Sequence, residues 1–365
     1  MTTQGYGTIE PELDELSISS FSHVRLPRFA PLLVLLGALA LSGLLALLLG
    51  WGPVAIPVVA VILTIIALPL WSAVVENRRA AVDRLVTCLV WTALAITLVP
   101  LVWVLEKTIA EGIPAISWHF LTNDMRQGLD PVTFKMVAGG GLKHALLGTL
   151  LVTLGAVVIS VPIGLMTAIY LVEYARGSWI GRTITILVDV MTGIPSIVAG
   201  LFAVALFSTI TGNPGIRFGL MGSIALSLLM IPTVVRGAEE MMRLVPSDLR
   251  EASYALGVPK WRTILKVVLP TAFGGIVTGV VLAISRVVGE TAPLLVAVGT
   301  VDYVNGNLFS GRMMTLPVYI MQEYNGTVDD RKFAWGAALI LIAIVMILNL
   351  VARIIGKIFA PQTGR

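Results

Sequence analysis

Long runs without Asp, Glu, Lys or Arg dominate the chain. A helix needs about 20 mostly apolar residues to cross the hydrocarbon core of a membrane. Runs that approach or exceed this length occupy 29–75, 85–105, 145–172, 190–216, 218–235, 267–285 and 333–352. The first run is long enough for two helices, so the pattern predicts an all-α membrane protein with about eight transmembrane helices. Outer-membrane barrels are excluded, because their short strands alternate apolar and polar residues.

The polar stretches between the runs divide the chain into segments. Residues 1–30 are predicted to form a retained cytoplasmic tail, because no apolar run with a small-residue cleavage site precedes Arg28. Residues 31–75 form a transmembrane hairpin without ionisable groups, and 76–84 form a basic cytoplasmic linker. The span predicted over 190–216 passes through Gly193-Ile194-Pro195-Ser196. Glycines in the preceding span, Gly148 and Gly164 among them, predict close helix packing.

Composition agrees with a membrane protein and explains the basic charge. The chain is 57% hydrophobic and only 13% charged, with a mean hydropathy of +0.93. Its net charge of +4 would also suit a nucleic-acid partner. However, fifteen Lys and Arg residues fall on the predicted cytoplasmic side and eight on the other, as expected of a membrane protein. This bias places both termini, including the tail at 357–365, in the cytoplasm.

The long cytoplasmic insert between the sixth and seventh predicted spans, 237–266, has a different pattern. Ser247 follows a proline and is predicted to cap a short helix that starts at Asp248. Gly257 is predicted to end that helix in the left-handed conformation, and Pro259 to lie in the first turn of a second helix. Two helices with a glycine corner also describe a DNA-binding helix-turn-helix. Here both flanks are membrane spans, which favours a different use of the corner.

The insert resembles the EAA loop of ABC-importer permeases. Glu251-Ala252-Ser253, three residues, Gly257, nine residues and Val267-Val268-Leu269-Pro270 follow the spacing of that motif. Ser253 stands for the second alanine and Val267 for isoleucine. The resemblance implies a type I importer permease in which 237–270 is the cytoplasmic loop that couples the membrane helices to an ATPase. The residues that would carry this coupling are Arg250, Glu251, Ala252, Ser253, Ala255, Leu256, Gly257 and Pro270.

Two further segments resemble the permease subunits of phosphate-specific (Pst) ABC importers. They are the stretches 230–236 and 284–295, which flank the loop. The resemblance implies a six-span permease core at 85–356, to which the hairpin at 31–75 is an accessory. It also implies a second, PstC-like permease subunit, two copies of a PstB-like ATPase and a PstS-like phosphate-binding protein. No cofactor is expected on this chain, because ATP and Mg²⁺ would be used by the ATPase.

Charged side chains within spans are candidates for the substrate pathway, because such residues usually face a cavity or a partner. Arg286 and Glu290 stand four residues apart and are predicted to share one helical face, where they could pair. Arg286 could bind phosphate oxygens through two parallel hydrogen bonds, and Glu290 could accept a hydrogen bond from protonated phosphate. Arg236 could either line the pathway or reach the cytoplasmic interface.

Several other functions fit parts of the sequence. An EAA-type loop does not specify the cargo, so another oxyanion such as molybdate or sulfate is an alternative to phosphate. A secondary transporter or a channel would need no coupling loop, and dependence on an ATPase distinguishes these classes. Nothing in the sequence favours an enzyme, since no nucleophile with a base, metal-ligand cluster or GxxxxGK[ST] loop is present. His119 and His144 are predicted to be surface or interface residues.

Overall fold

The computed structural model describes residues 26–125, 128–129, 136–137, 140–175, 177–328 and 330–359. The predicted tails at 1–30 and 357–365 therefore lie mostly outside the described residues. The chain divides into two compact units, Met1–Leu105 and Glu106–Arg365, and the division falls within one long helix.

Helices make up almost all of the described structure. The first unit contains α1 (Ala30–Leu49), α2 (Ala55–Val75) and most of α3 (Arg78–Gly112), so part of the predicted linker is helical. The second unit contains α4 (Trp118–Thr122), α5 (Lys143–Ile169), α6 (Trp179–Thr192), α7 (Ser196–Thr211), α8 (Gly219–Arg243), α9 (Ser247–Ala255), α10 (Lys260–Thr263), α11 (Leu269–Val288), α12 (Ala292–Ala297), α13 (Leu316–Tyr324) and α14 (Asp330–Ile358). Its shorter elements are a 3₁₀ turn (Ile113–Ala115), π-helical turns (Tyr170–Tyr174 and Ile264–Val268) and two antiparallel strands, β1 (Gly128–Leu129) and β2 (Met136–Val137).

Within the described ranges, seven helical segments are long and apolar enough to cross a membrane. They contain α1, α2, α3, α5, α8, α10 with α11, and α14. An eighth crossing is possible through α6 and α7, which meet the same test together but are bent by 105°. The predicted all-helical membrane fold with about eight spans is confirmed.

The predicted fifth span is broken, because α6 ends at Thr192 and α7 begins at Ser196. Pro195 lies directly before α7, with an extended ψ of 132°. Proline has no N–H for a helical hydrogen bond and disfavours helical geometry at the residue before it. The apolar pattern of this run therefore does not reveal the sharp turn between α6 and α7.

Glu76 connects the end of the hairpin to the start of α3. Its carboxylate accepts hydrogen bonds from the Ser72 hydroxyl at 2.6 Å, the Leu26 N–H at 2.7 Å and the Arg84 guanidinium at 2.8 and 3.0 Å. The hydrogen bonds from the Arg84 guanidinium have the largest effect and those from Ser72 and Leu26 add to it, so that the pKa of Glu76 is lowered to about 2. The carboxylate is therefore charged throughout the physiological pH range and fixes the entry to α3.

α8 lies at the centre of the second unit and packs against α5, α6, α7, α11 and α12. Small residues permit these contacts, as predicted for the span now assigned to α5. Gly155 of α5 lies against Ser223, and Gly164 lies against Val234. The Ser223 hydroxyl donates to the Val152 carbonyl oxygen at 2.9 Å. Close approach of backbones, rather than large interlocking side chains, brings α5 and α8 together.

The end of α5 that faces α13 buries polar side chains. His144 is 1% exposed and its ring meets Tyr319 edge to face, with ring centres 5.5 Å apart. The prediction of a surface position for His144 is wrong, because α13 covers the first turn of α5. Glu323, near the end of α13, is also buried. Its burial, and to a lesser extent the negative charges of Asp330 and Asp302, raises its pKa to about 7.

We expect Gly148→Ala to lower the free energy of unfolding by about 1–3 kcal/mol, the range for an overpacked core. A Cβ at this position would lie 1.9 Å from the Met314 carbonyl oxygen. Gly43→Ala in α1 is the control, because its Cβ would meet no atom within 4 Å. The control should be neutral or slightly stabilising, since alanine favours helices. Thermal unfolding in detergent measures both, and equal midpoints for the two variants would contradict this packing.

The raised pKa of Glu323 predicts a pH-dependent stability. The folded state holds this proton more tightly than the unfolded state, whose carboxyl has the ordinary pKa of 4.5. This tighter proton binding stabilises the folded state fully below about pH 4.5, and the stabilisation is lost as the pH rises through about 7. Glu323→Gln should reduce the fall in melting temperature between pH 5 and pH 8. Glu251 is exposed, so Glu251→Gln is the control and should show the same fall in melting temperature as the wild type. If both variants show the wild-type fall, Glu323 is not the group responsible.

Candidate functional site

A glycine corner joins α9 to α10. The Gly257 N–H donates to the Tyr254 carbonyl at 2.9 Å, and the Val258 N–H donates to the Ser253 carbonyl at 3.2 Å. This pair of bonds is the Schellman ending of a helix, and Gly257 has the required positive φ of 75°. The predicted left-handed conformation of Gly257 is confirmed, and the second helix begins at Lys260, directly after Pro259.

The predicted cap by Ser247 is wrong. α9 begins at Ser247 itself, and Pro246 takes the position before the helix with an extended ψ of 140°. The Ser247 side chain makes no capping bond to a backbone N–H and lies 3.4 Å from a carboxylate oxygen of Asp248. The helix begins one residue earlier than the sequence pattern indicates, so Ser247 is already in its first turn.

Arg250 fixes α9 to the rest of the second unit. Its guanidinium pairs with the Glu173 carboxylate at 3.0 Å and donates to the carbonyl oxygens of Val245 at 2.7 Å and Met242 at 2.9 Å. The Arg250 and Glu173 side chains are 9% and 4% exposed. Arg250, predicted as a coupling residue, points inward and anchors the loop to Glu173 in the π-helical turn that follows α5.

Two more contacts hold the corner in place. Lys260 donates to the Glu173 carbonyl oxygen, and its ammonium lies 4.8 Å from the centre of the Tyr174 ring. The buried Ser253 hydroxyl lies 2.8 Å from the Thr263 hydroxyl, which joins α9 to α10. Ser253, predicted as a coupling residue, therefore acts within the corner rather than on its surface.

The outer side of the corner is exposed and apolar. The exposed residues among those predicted for coupling are Glu251, Ala252, Ala255, Leu256, Gly257 and Pro270. Large apolar neighbours join them at the surface, namely Leu249, Tyr254, Trp261 and Leu265. Leu256 is 83% exposed. Several exposed large apolar side chains on one short loop indicate an interaction site, and here they lie on a corner that is fixed from behind.

Arg286 and Glu290 do not share a helical face. α11 ends at Val288, so Glu290 lies beyond the helix, and no ion pair joins the two residues among the described part of the chain. The predicted pair assumed that the helix continued through Gly289, which instead ends it. Arg286 is exposed in the last turn of α11, where the negative end of the helix dipole favours a cation.

Arg236 of α8 pairs with two carboxylates. One Nη atom contacts Asp189 of α6. The other lies 2.8 Å from the carboxylate of Glu239, which is three residues further along α8. Glu239 also pairs with Arg243 at 2.6 Å. Arg236 is thus part of a cluster of two arginines and two acids, rather than a lone cation at the interface.

Sequence reasoning did not identify Glu173 or Asp189. Glu173 lies 77 residues before Arg250, outside the loop motif, so only the fold shows that they pair. The sequence feature that could have drawn attention to Asp189 is its position directly before an uncharged run. Within the described residues, no group of three or more His, Cys, Asp or Glu side chains could hold a metal ion.

We expect Arg250→Met to lower the free energy of unfolding by about 3–5 kcal/mol, because it leaves the Glu173 carboxylate buried without its cation. Adding Glu173→Gln should restore part of the loss. Arg262→Met is the control, since Arg262 is exposed and lies over the Trp261 ring. Its effect should stay within about 0.5 kcal/mol. Equal melting temperatures for the Arg250 and Arg262 variants would refute the anchoring role.

Comparison with known proteins places these features in one family. Residues 160–365 match the family described as "Binding-protein-dependent transport system inner membrane component". The matched segment includes the corner, the Arg236 cluster and Arg286. Solved structures are less similar. One of them, an inward-facing MetNI methionine ABC transporter, is 20% identical, with a TM-score of 0.46 over 60% of this chain and 94% of that chain.

Curated relatives share more of the sequence. "Phosphate transport system permease protein PstA 1" of Mycobacterium tuberculosis (strain CDC 1551 / Oshkosh) is 46% identical over 76% of this chain and 90% of its own length. The PstA proteins of Mycobacterium leprae and Yersinia pestis are 45% and 39% identical, over 76% and 70% of this chain and 89% and 83% of their own. The chain therefore belongs to the binding-protein-dependent transport system inner membrane components and, within them, to the PstA permeases.

Proposed function

We propose that this chain is a permease subunit that moves inorganic phosphate across the cytoplasmic membrane and is driven by a separate ATPase. The exposed apolar face of the anchored corner at 247–265 carries the proposal. A surface that is fixed from behind to the ends of α5 and α8 and is open in front can transmit the movement of a docked protein to those helices. In this account, the loop at 237–270 is the coupling loop.

Partners follow from what this chain lacks. Its sequence has no phosphate-binding loop for ATP, so a partner must hydrolyse the nucleotide with Mg²⁺. The PstA-type relationship supports two PstB-like ATPase subunits, a PstC-like second permease and a PstS-like phosphate-binding protein. The permease core would be 85–356, and the hairpin at 31–75 would be an addition to it.

Arg286, Glu290 and Arg236 are the proposed pathway residues. Arg286 is exposed, and the described residues offer it no carboxylate, so it can present its guanidinium to an anion. A guanidinium forms paired hydrogen bonds with two oxygens of a phosphate. Glu290, half-buried in the turn after α11, lies close to it in sequence although not on the same helical face.

Glu290 bears on the choice between phosphate and other oxyanions. Phosphate keeps at least one proton near neutral pH, whereas sulfate and molybdate do not. A carboxylate can accept a hydrogen bond from protonated phosphate but repels an anion without a proton. The carboxylate therefore favours phosphate over the second candidate, a permease for sulfate or molybdate.

A reconstituted complex of the chain with its ATPase, second permease and binding protein tests the function. Uptake of labelled phosphate into proteoliposomes should require ATP and exceed uptake of molybdate. Uptake without the ATPase would indicate a secondary transporter or channel. Preference for molybdate would assign the complex to the alternative cargo.

Replacing Gly257 with valine should uncouple ATP hydrolysis from uptake. The corner needs a positive φ of 75°, and left-handed geometry costs a residue with a Cβ about 1–2 kcal/mol, more when the side chain is β-branched. Gly306→Val is the matched control, since both glycines have open space around them and only Gly257 has a positive φ. Hydrolysis and uptake are measured on the same vesicles. Undiminished uptake per ATP in Gly257→Val would count against the coupling role.

We expect Arg286→Gln to abolish phosphate uptake while the complex still assembles, because glutamine keeps much of the shape but loses the charge that attracts the anion. Arg353→Gln, an exposed position near the end of α14, should transport normally. Labelled uptake and size-exclusion profiles give the two readings. Normal transport by Arg286→Gln would remove this residue from the pathway.

A further inference from the structure

The cluster around Arg236 holds this cation between two unequal acids. Glu239 is buried, with its side chain 4% exposed, and is shared by Arg236 and Arg243. Asp189 is 57% exposed, and among the described residues its carboxylate pairs with Arg236. One acid is therefore a buried part of α8, and the other is an exposed residue of a different helix.

The exposed acid can exchange with a dissolved anion. An exposed carboxylate gains little from an ion pair, because water screens the charges and competes for the hydrogen bonds. A carboxylate and a phosphate present the same kind of charged oxygen to a guanidinium. Arg236 is itself 32% exposed, so an anion can approach it without unfolding the helix.

Asp189 also lies where its release would have a structural effect. It belongs to the last turn of α6, directly before the break at 193–195 where α6 and α7 bend by 105°. Its partner is on α8, which ends at Arg243 and continues into the corner. The Asp189–Arg236 pair is therefore a link between the bent α6–α7 segment and the helix that enters the coupling loop.

We propose that Asp189 is an internal carboxylate that occupies Arg236 until the transported anion displaces it. This inference rests on the proposed phosphate transport and adds a positioning residue to the pathway. In the empty state Asp189 satisfies the guanidinium and holds α6 against α8. When phosphate takes its place, Arg236 stays paired and the end of α6 is released. Asp189 thereby sets how readily Arg236 accepts an anion.

Direct binding of inorganic phosphate to the purified importer complex, without the binding protein, tests this exchange. Asp189→Asn should bind phosphate severalfold more tightly than the wild type, because the competing carboxylate is gone. Asp189→Glu keeps a carboxylate and should stay near the wild type. Adding Arg236→Gln to Asp189→Asn should abolish the gain. Asp83→Asn, an exposed acid on α3, controls for the loss of one negative charge and should leave the affinity unchanged.

Three results would overturn the exchange: unchanged affinity in Asp189→Asn, a gain that persists without Arg236, or an equal gain in Asp83→Asn. Absence of phosphate binding in Asp189→Asn would also overturn it, since a freed Arg236 would then not be an anion site. ATP-driven phosphate uptake by the wild-type complex from the same preparation separates the two proposals. If uptake is normal, only the exchange fails; if uptake is absent, the phosphate assignment fails independently.

Discussion

The buried pair between Arg250 and Glu173 is the contact on which the proposed coupling by the loop depends. A short polar loop between two membrane helices would normally move independently of them. Here one guanidinium binds the end of α5 through Glu173 and also binds the carbonyl oxygens of Val245 and Met242 at the end of α8. Two buried charges are costly unless each is fully paired, so the arrangement favours one position of the loop. A force applied to the exposed side of α9 would then reach α5 and α8 directly.

The sequence predicts most of the fold because hydrophobic length decides it. Runs without charge, such as 333–352, can only be satisfied by helices in a membrane, and the corner at Gly257 has a local signal in its glycine and following proline. The break at Pro195 and the end of α11 at Gly289 were harder to predict. Pro195 interrupts an uncharged run that is long enough to continue, and Gly289 ends a helix that the predicted pairing of Arg286 with Glu290 required to continue, so single residues decided both outcomes.

The candidate site was predictable only where its residues are close in sequence. The motif correctly located the exposed residues of the corner, such as Leu256 and Ala252, because their spacing repeats along one short helix. It did not show that Arg250 points inward, since that depends on Glu173, 77 residues away. The same limit applies to Asp189 and Arg236, which are 47 residues apart and meet only when α6 packs on α8. Long-range charge pairs follow from the fold and not from local pattern.

Site-directed cross-linking in the assembled complex tests directly whether the exposed side of the corner is the contact with the ATPase. Cys88 is the chain's single cysteine, so a Cys88→Ser background gives one reactive position at a time. Leu256→Cys places a thiol on the exposed apolar face, and Phe309→Cys, 70% exposed in the loop between α12 and α13, is the control. The account predicts a cross-link to the ATPase subunit from position 256 and none from 309. An intact complex in which position 256 does not react with the ATPase would contradict it.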